Sequence, residues 1–316
     1  MAAKRRIAFD LNEFKKKYCL LQNIPNVFAY NLNVSESKYL PGTCKFYAEL
    51  NPERTQLRRH PQTISSLRPK FDENMFNFKK INPNEQLMQI TYNDIKVDMI
   101  INRSPLTPFH TLIIPDLNGE HAQHITIVSL NFSIRLLLDL QETTFRIGYN
   151  SPGALASVNH LHLHLINLDK VLYIDIAELE LISEDYIYRL HPHMPTEAIC
   201  FVVDKSDSEI LLDVKIKQIY DFVMWLCENN FPHNIFMTKC INSINKLKIF
   251  IYYRQEFCVI KDLSYYNIAF CELSGYVPVG DKSLFDKLTE KDVIERIQNE
   301  SGKISKNIYD YFNKKM

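Results

Sequence analysis

Apolar and polar residues alternate or run together along 87-LMQITY-92 and 95-IKVDMIIN-102, and both stretches predict strands. The next segment, 103-RSPLTPF-109, carries two prolines and reads as a loop; 110-HTLIIP-115 reads as a short apolar strand stopped by proline. From His121 to about Leu140 the period changes. Ile125, Val128, Phe132 or Leu136, and Leu140 recur at spacings of three and four, which predicts a helix. The chain returns as a strand at 143-TTFRIGYN-150, turns at Ser151-Pro152-Gly153, and enters 159-NHLHLHLINL-168 at the end of another strand.

The second half repeats this rhythm. A strand is expected at 198-AICFVVD-204, a helix over roughly 214–230, strands at 234-NIFMTKC-240 and 247-LKIFIYYR-254, and a helical tail over 290–316. A helix between strands twice over predicts two related α+β halves. Residues 1–45 mix short apolar runs with turn signals and read as a covering segment. Residues 46–67 are charged and helical in part, ending near Pro69. The expected division is therefore a covering segment 1–45, a first half 46–172 and a second half 173–316.

Composition narrows the classes. The chain has 316 residues, 46% hydrophobic and 23% charged, an ordinary globular balance. With 37 basic and 37 acidic residues it has no global field to collect nucleic acid or an anionic membrane, so a phosphate ligand must be held by a local site. The N-terminus lacks an apolar signal-peptide core, and no stretch of about 20 residues is apolar throughout, so neither secretion nor a membrane span is expected. The seven cysteines are scattered without a CxxC pair and read as thiols in a reducing cytoplasm.

The chemistry concentrates in the histidine row. On a strand, His160, His162 and His164 share one face, and Leu161, Leu163 and Leu165 the core face. Three readings compete: incidental strand histidines, a zinc site built on alternate strand residues, and nucleophilic catalysis on phosphorus, in which a neutral imidazole attacks and neighbouring donors absorb charge. The surroundings favour the third. Asn150, Ser151, Gly153, Ser157 and Asn159 immediately precede the row, and Asn102, Ser104 and His110 introduce the strand 110–115. Hydroxyls, amides and turn backbone are what a phosphate site needs. His191 and His193, in 189-RLHPHMP-195, also stand at period two but beside prolines in a loop, and no role is assigned to them.

The His-φ-His-φ-His-φ-φ row resembles the histidine-triad superfamily, and 102-NRSPLTPFHTLIIP-115 is similar to that superfamily's Asn…Pro…His segment. More narrowly, 58-RRHPQTISSL-67, 71-FDENMFNFKKI-81, 145-FRIGYNSPGALASVNHLHLH-164, 232-PHNIFMT-238 and 267-NIAFCELSGYVPV-279 resemble the GDP-hexose phosphorylases. The resemblance implies an α+β, histidine-triad or hexose-1-phosphate uridylyltransferase-like fold, with two halves around a mixed, largely antiparallel sheet. It implies that His162 attacks the α-phosphorus of GDP-glucose, forms a guanylyl-histidine, and passes the nucleotide to inorganic phosphate to give GDP. His160 would fix the tautomer of His162 through a backbone hydrogen bond, and His164 would reach a non-bridging or leaving oxygen. Asn150 and Ser157 would hold phosphate oxygens and Asn102 the ribose. His110, Phe76, Asn77, Phe78 and Lys79 would belong to the nucleotide pocket, Phe76 and Phe78 equally to a buried strand face.

No cofactor or metal is required by this chemistry, and a homodimer is one assembly it admits. His164, where many transferases of the superfamily carry Gln, keeps open a hydrolase that uses water in place of phosphate. Phe109, where Gly is usual, puts a bulky side chain near the substrate, and Gln255 replaces a basic residue beside Arg254; these two departures motivate a non-catalytic GDP-binding alternative. Glu272 reads as structural.

Overall fold

A computed structural model describes residues 6–57, 59–183, 186–191, 194–259, 261, 266–301 and 306–313. His193, Arg58 and the parts of the tail at 302–305 and 314–316 lie outside the described residues. The chain opens with α1 (Leu11–Gln22), two short strands β1 (Glu36–Tyr39) and β2 (Tyr47–Leu50), and a helical turn α2 (Pro52–Leu57). Strands β3 (Gln86–Tyr92), β4 (Ile95–Ile101) and β5 (Thr111–Pro115) lead to α3 (Ile127–Asp139), β6 (Phe145–Asn150) and β7 (Leu163–Asn167). After the turn α4 (Tyr173–Ile176) come β8 (Leu179–Ser183), β9 (Ile187–Leu190), β10 (Ile199–Asp204), α5 (Glu209–Glu228), β11 (His233–Cys240) and β12 (Ser243–Tyr253). The chain closes through α6 (Phe270–Leu273), β13 (Tyr276–Val279), α7 (Lys282–Lys287), α8 (Glu290–Glu300) and α9 (Lys306–Asn313).

Helix starts are set by caps. The Thr126 side chain accepts the Ser129 N–H and the Ser129 hydroxyl accepts the Thr126 N–H, a reciprocal box that fixes the start of α3. The helix therefore begins at Ile127, not His121, and 121–126 stays irregular. Ser208 caps α5 by accepting the Leu211 N–H, so this helix begins five residues before the expected 214. Strands β8 and β9 were not expected, and their burial does not alternate: β8 has intermediate exposure along most of its length although 178-ELEL-181 alternates in sequence, and β9 is buried only at its two ends.

Ten strands form one sheet, in the order β3-β4-β5-β7-β6-β11-β12-β10-β9-β8. Every pairing in it is antiparallel. The parallel element of the expected mixed sheet lies elsewhere, between β2 and β13 in a separate three-stranded sheet. From either edge inward, the large sheet runs through three strands in chain order and then a hairpin in reverse order, with α3 or α5 preceding that hairpin in the chain. Strands β6 and β11 meet at the centre, with Asn150 opposite Asn234 and Gly148 opposite Phe236.

Side-chain alternation divides the cores. Leu161, Leu163 and Leu165 pack with Ile113, Ile147, Ile235 and Ile249 under α1, α3 and α5. Burial of Leu130, Phe132, Leu136 and Leu137 of α3 is complete, contributing about 1.5–3 kcal/mol each. Arg135 of α3 bridges to Glu209 (2.8 Å) and Asp213 (2.9 Å) of α5. The opposite face carries Phe236, Phe250 and Tyr252 against the small sheet and α8, and a third cluster of Phe78, Ile100, Leu112, Ile114 and Val158. His164, Gly148 and Asn150 point to this second face, because they alternate with the leucine and isoleucine positions of the first.

Candidate active site

Pairing fixes His164 and not the other two histidines. Strand β7 begins at Leu163, and His164 sits opposite Leu112 of β5 and Gly148 of β6. His160 and His162 lie in the approach to the strand. There the side chain of Gln123, fully buried, takes the place of a neighbouring strand. Its Oε1 accepts the His162 N–H (2.9 Å), and its Nε2 donates to the His162 carbonyl (3.1 Å) and the Asn150 carbonyl (3.0 Å). Gln123 is itself held by Asn159 Oδ1, which accepts its N–H (3.1 Å), and by the Tyr149 hydroxyl, which donates to its carbonyl (2.9 Å).

The tautomers of the histidines follow from groups that cannot rotate. His162 Nδ1 lies 2.7 Å from the His160 carbonyl, so Nδ1 carries the proton and Nε2 keeps its lone pair. Burial lowers the pKa of His162 to about 4, with the His160 carbonyl opposing and Lys261 adding to the shift. The ring is therefore neutral at physiological pH. The His160 side chain holds a different segment. Its Nδ1 accepts the Phe78 N–H (3.1 Å), and burial likewise brings its pKa to about 4.

His110 Nδ1 accepts the Leu106 N–H (2.9 Å), which puts its proton on Nε2, facing His164 Nδ1 at 3.0 Å. His164 then carries its own proton on Nε2. Asn102 Nδ2 lies 3.0 Å from the same His110 nitrogen as a neighbour, since its Oδ1 is held by the Ser104 N–H (3.0 Å). Burial drives the pKa values of His110 and His164 well below 6.5. The result is two adjacent neutral rings with centroids 5.1 Å apart, His162 with a free lone pair and His164 with a donor.

Both rings line a cavity of about 460 Å³. Of the sequence-predicted residues, Asn102, His110, Asn150, Ser157, His162 and His164 line it. Asn150 Oδ1 accepts from Asn234 Nδ2 (2.6 Å) and the Phe270 N–H (3.3 Å), leaving its Nδ2 as a donor. His110 is fully buried with both ring nitrogens engaged, so it supports His164 from behind. His160 stands outside the lining, as do Phe76 and Lys79. The Phe76 ring lies under the Arg59 guanidinium at 3.4 Å, and Lys79 pairs with Glu73 (3.0 Å) and Glu120 (2.6 Å) at the surface. Of the predicted pocket aromatics, Phe78 lines the site, edge-on to His162 at 5.1 Å; Phe270, packed on His164 at 5.3 Å, lines it as well.

The two departures fall away from the cavity. Phe109 has φ +59°, in the left-handed region where glycine is free and other residues are strained. Its ring packs on Tyr18 (5.3 Å), Phe14 (6.2 Å) and Phe145 (6.4 Å) in the helix-side core. The expectation of bulk near the substrate is thus corrected: a positive φ turns Cβ toward α1. Gln255 is exposed. Arg254 is buried, donating to Asn234 Oδ1 (3.3 Å) and lying 3.7 Å from Glu300.

Sequence reading missed a charged ring around the cavity. Arg54, Arg59, Arg103 and Lys261 line it, with Glu85, Glu272 and Asp281. They come from three regions far apart in the chain, around 54–59, 85–103 and 261–281, and carry no periodic spacing. Glu272 accepts the Ala269 N–H (2.9 Å) as part of the α6 cap, and burial raises its pKa to about 7. Gln62 was visible only as part of the similar block 58–67; its Oε1 accepts the Asn159 N–H (2.7 Å), and its own N–H donates to the Ser157 carbonyl (3.0 Å). Among the described residues no three His, Cys, Asp or Glu side chains are grouped to hold a metal ion.

The fold is similar to that of yeast Ap4A phosphorylase in complex with Ap4A, with a TM-score of 0.65 at 14% identity, over 92% of this chain and 96% of that one. One large antiparallel sheet in a mixed α/β fold, in the company of its relatives, defines an enzyme of the nucleotidyltransferase type. The chain belongs to the GDPGP1-like family: the family's N-terminal domain matches residues 21–166 and its C-terminal domain residues 186–310. It is 32% identical to GDP-D-glucose phosphorylase 1 of Danio rerio over 283 residues, 86% of this chain and 81% of that protein. It is also 32% identical to the Homo sapiens protein of the same name, over 86% of this chain and 74% of that protein. GDP-L-galactose phosphorylase 1 of Arabidopsis thaliana is 28% identical over 69% of this chain and 53% of its own length.

Proposed function

We propose that the protein is a GDP-D-glucose phosphorylase working through His162. The observation that carries the mechanism is the tautomer of that ring, with Nδ1–H donated to the His160 carbonyl and Nε2 unprotonated beside His164 Nε2–H. His162 Nε2 attacks the α-phosphorus of GDP-glucose. The new P–N bond forms as the bond to the bridging oxygen breaks, and glucose 1-phosphate departs with the electron pair. His164 Nε2–H donates to a non-bridging or departing oxygen, and the Asn150 amide and Ser157 hydroxyl hold the others. Inorganic phosphate then attacks the same phosphorus, breaks the P–N bond and releases GDP. Arg54 and Lys261 supply positive charge that the neutral chain as a whole lacks.

The same reading takes the chain as two related α+β halves, 46–172 with the chemistry and 173–316 without it, behind a covering segment 1–45. The repeated strand order supports this. It takes the protein as cytoplasmic and admits a homodimer. The test is to incubate the protein with GDP-glucose, with and without phosphate, and to separate GMP from GDP. GDP with glucose 1-phosphate, formed only with phosphate, is expected. GMP formed without phosphate would make it a hydrolase. His162→Asn is expected to abolish turnover and to leave GDP binding nearly intact, because one ring among many contacts is lost; residual phosphorolysis in this variant would refute the covalent route.

A further inference from the structure

Glu85 ends a short 3₁₀ turn, Pro83–Glu85, just before β3, and its neighbour Gln86 pairs with Ile100 of β4. That register sets it beside the apolar wall of the cavity formed by Phe78, Ile81 and Ile100, and it lines the cavity with them. The residue is only 5% exposed. Its Oε1 accepts the Asn82 N–H (3.3 Å), which fixes the carboxylate in place. Among the described residues no hydrogen bond or ion pair reaches Oε2. Burial raises the pKa of the carboxyl, while the Asn82 N–H and, through space, Arg103 and Arg59 favour its ionised form. Oε2 is not among the enclosed unpaired polar atoms and so opens to the cavity, where a ligand's donors can reach a carboxylate that its surroundings otherwise desolvate.

We propose that Glu85 reads the base of the nucleotide. An ionised carboxylate accepts two parallel N–H groups, and guanine presents N1–H and the 2-amino group side by side on one edge. Adenine offers a lone pair and a C–H there. Hypoxanthine keeps N1–H and lacks the amino group. Seated against Phe78 and Ile100, a guanosine nucleotide would satisfy Oε2, and an adenosine nucleotide would leave it unpaired. Glu85 is thus assigned the selection of guanosine substrates. The inference rests on the phosphorylase reading only for the identity of the nucleotide.

The test compares GDP, IDP and ADP on the full-length protein and on Glu85→Gln, by calorimetric binding and by phosphorolysis of the three glucose conjugates. Gln keeps an acceptor for the Asn82 N–H but presents an N–H₂ where the second acceptor stood. Wild-type protein is expected to prefer GDP to IDP by roughly ten- to a hundredfold, the worth of one charge-assisted hydrogen bond. In Glu85→Gln the ratio is expected to fall to within about threefold, mainly by weaker GDP binding. An unchanged GDP/IDP ratio in the variant would overturn the assignment. So would an equal loss for all three nucleotides, which would make Glu85 a tether for Arg59 and Arg103. If Glu85→Gln does not fold, a wild-type protein that binds GDP and IDP alike overturns the assignment by itself. If GDP is preferred and the variant loses the preference, yet GDP-glucose is not turned over, the base assignment stands and the phosphorylase reading fails.

Discussion

Replacing Gln123 by Leu removes the side chain that links His162 to Asn150 at the end of β6. The shapes are close, so packing is nearly conserved, and the effect isolates three hydrogen bonds of 2.9, 3.0 and 3.1 Å. The groups left behind are the His162 N–H and carbonyl and the Asn150 carbonyl, in a site where Gln123 is fully buried. Each unpaired buried group costs about 1–3 kcal/mol, and partial relaxation of the loop brings the total to roughly 3–5 kcal/mol. That is a large fraction of the stability of an ordinary domain, about 5–15 kcal/mol. The assay is urea unfolding followed by circular dichroism, read as a shift of midpoint at constant slope. Single-turnover formation of the guanylyl-enzyme is followed alongside. A loss below about 1 kcal/mol, the size of an ordinary surface change, would refute the view that Gln123 replaces a strand partner.

Gly148→Ala puts a methyl group inside the Phe270 ring, which also packs on His164 at 5.3 Å. It is expected to lower stability by about 1–3 kcal/mol, by thermal melting, and to slow the first chemical step. Phe109→Gly relieves a left-handed backbone worth about 1–2 kcal/mol but removes the packing on Phe14, Tyr18 and Phe145, so a net loss of stability with unchanged kcat/KM is expected; a large kinetic effect would show that the ring touches substrate. Stability should fall as pH drops from 6.5 toward 4, because burial brings the pKa values of His160, His162 and His233 to about 4 and the unfolded chain takes up protons first. Each contributes up to about 3 kcal/mol over that range. Glu272, raised to about 7, acts in the opposite sense, as do Glu49 and Glu85, while His110, His124 and His164 add to the fall, so a urea midpoint that is flat or rises between pH 6.5 and 5 would contradict the assignment of neutral rings.

Periodicity carried much of the fold because it reports which face a side chain takes. The strands at 87–92, 95–102, 110–115, 198–204, 234–240 and 247–254 were legible, since each has a buried face on an inner or well-packed part of the sheet. The strand β8 was not read: 178-ELEL-181 alternates, but the stretch is short, and at the sheet edge, with Glu180 paired to Arg189 (2.7 Å), none of its residues is buried. Apolar spacing also overran the start of α3, because Ile125 fits the helical period while a side-chain box at Thr126 decides where the helix begins.

The sequence by itself marked the histidine row and the leucine face behind it: imidazoles at 160, 162 and 164 alternate with leucines that prove fully buried, although only His164 lies on a paired strand. It also pointed to Asn150 and Ser157, which shortly precede the row in the chain and line the cavity with it. Tertiary structure alone decided the protonation pattern. The lone pair on His162 Nε2 and the proton on His164 Nε2 depend on the His160 carbonyl and, through His110, on the Leu106 N–H. Tertiary structure also decided the charged ring of Arg54, Arg59, Glu85, Lys261 and Glu272. These residues come from segments that share no spacing, and only the closing of the sheet and its covering loops brings them to one cavity. A periodic pattern records the geometry of one element, whereas a charge acts across space on whatever the fold places beside it.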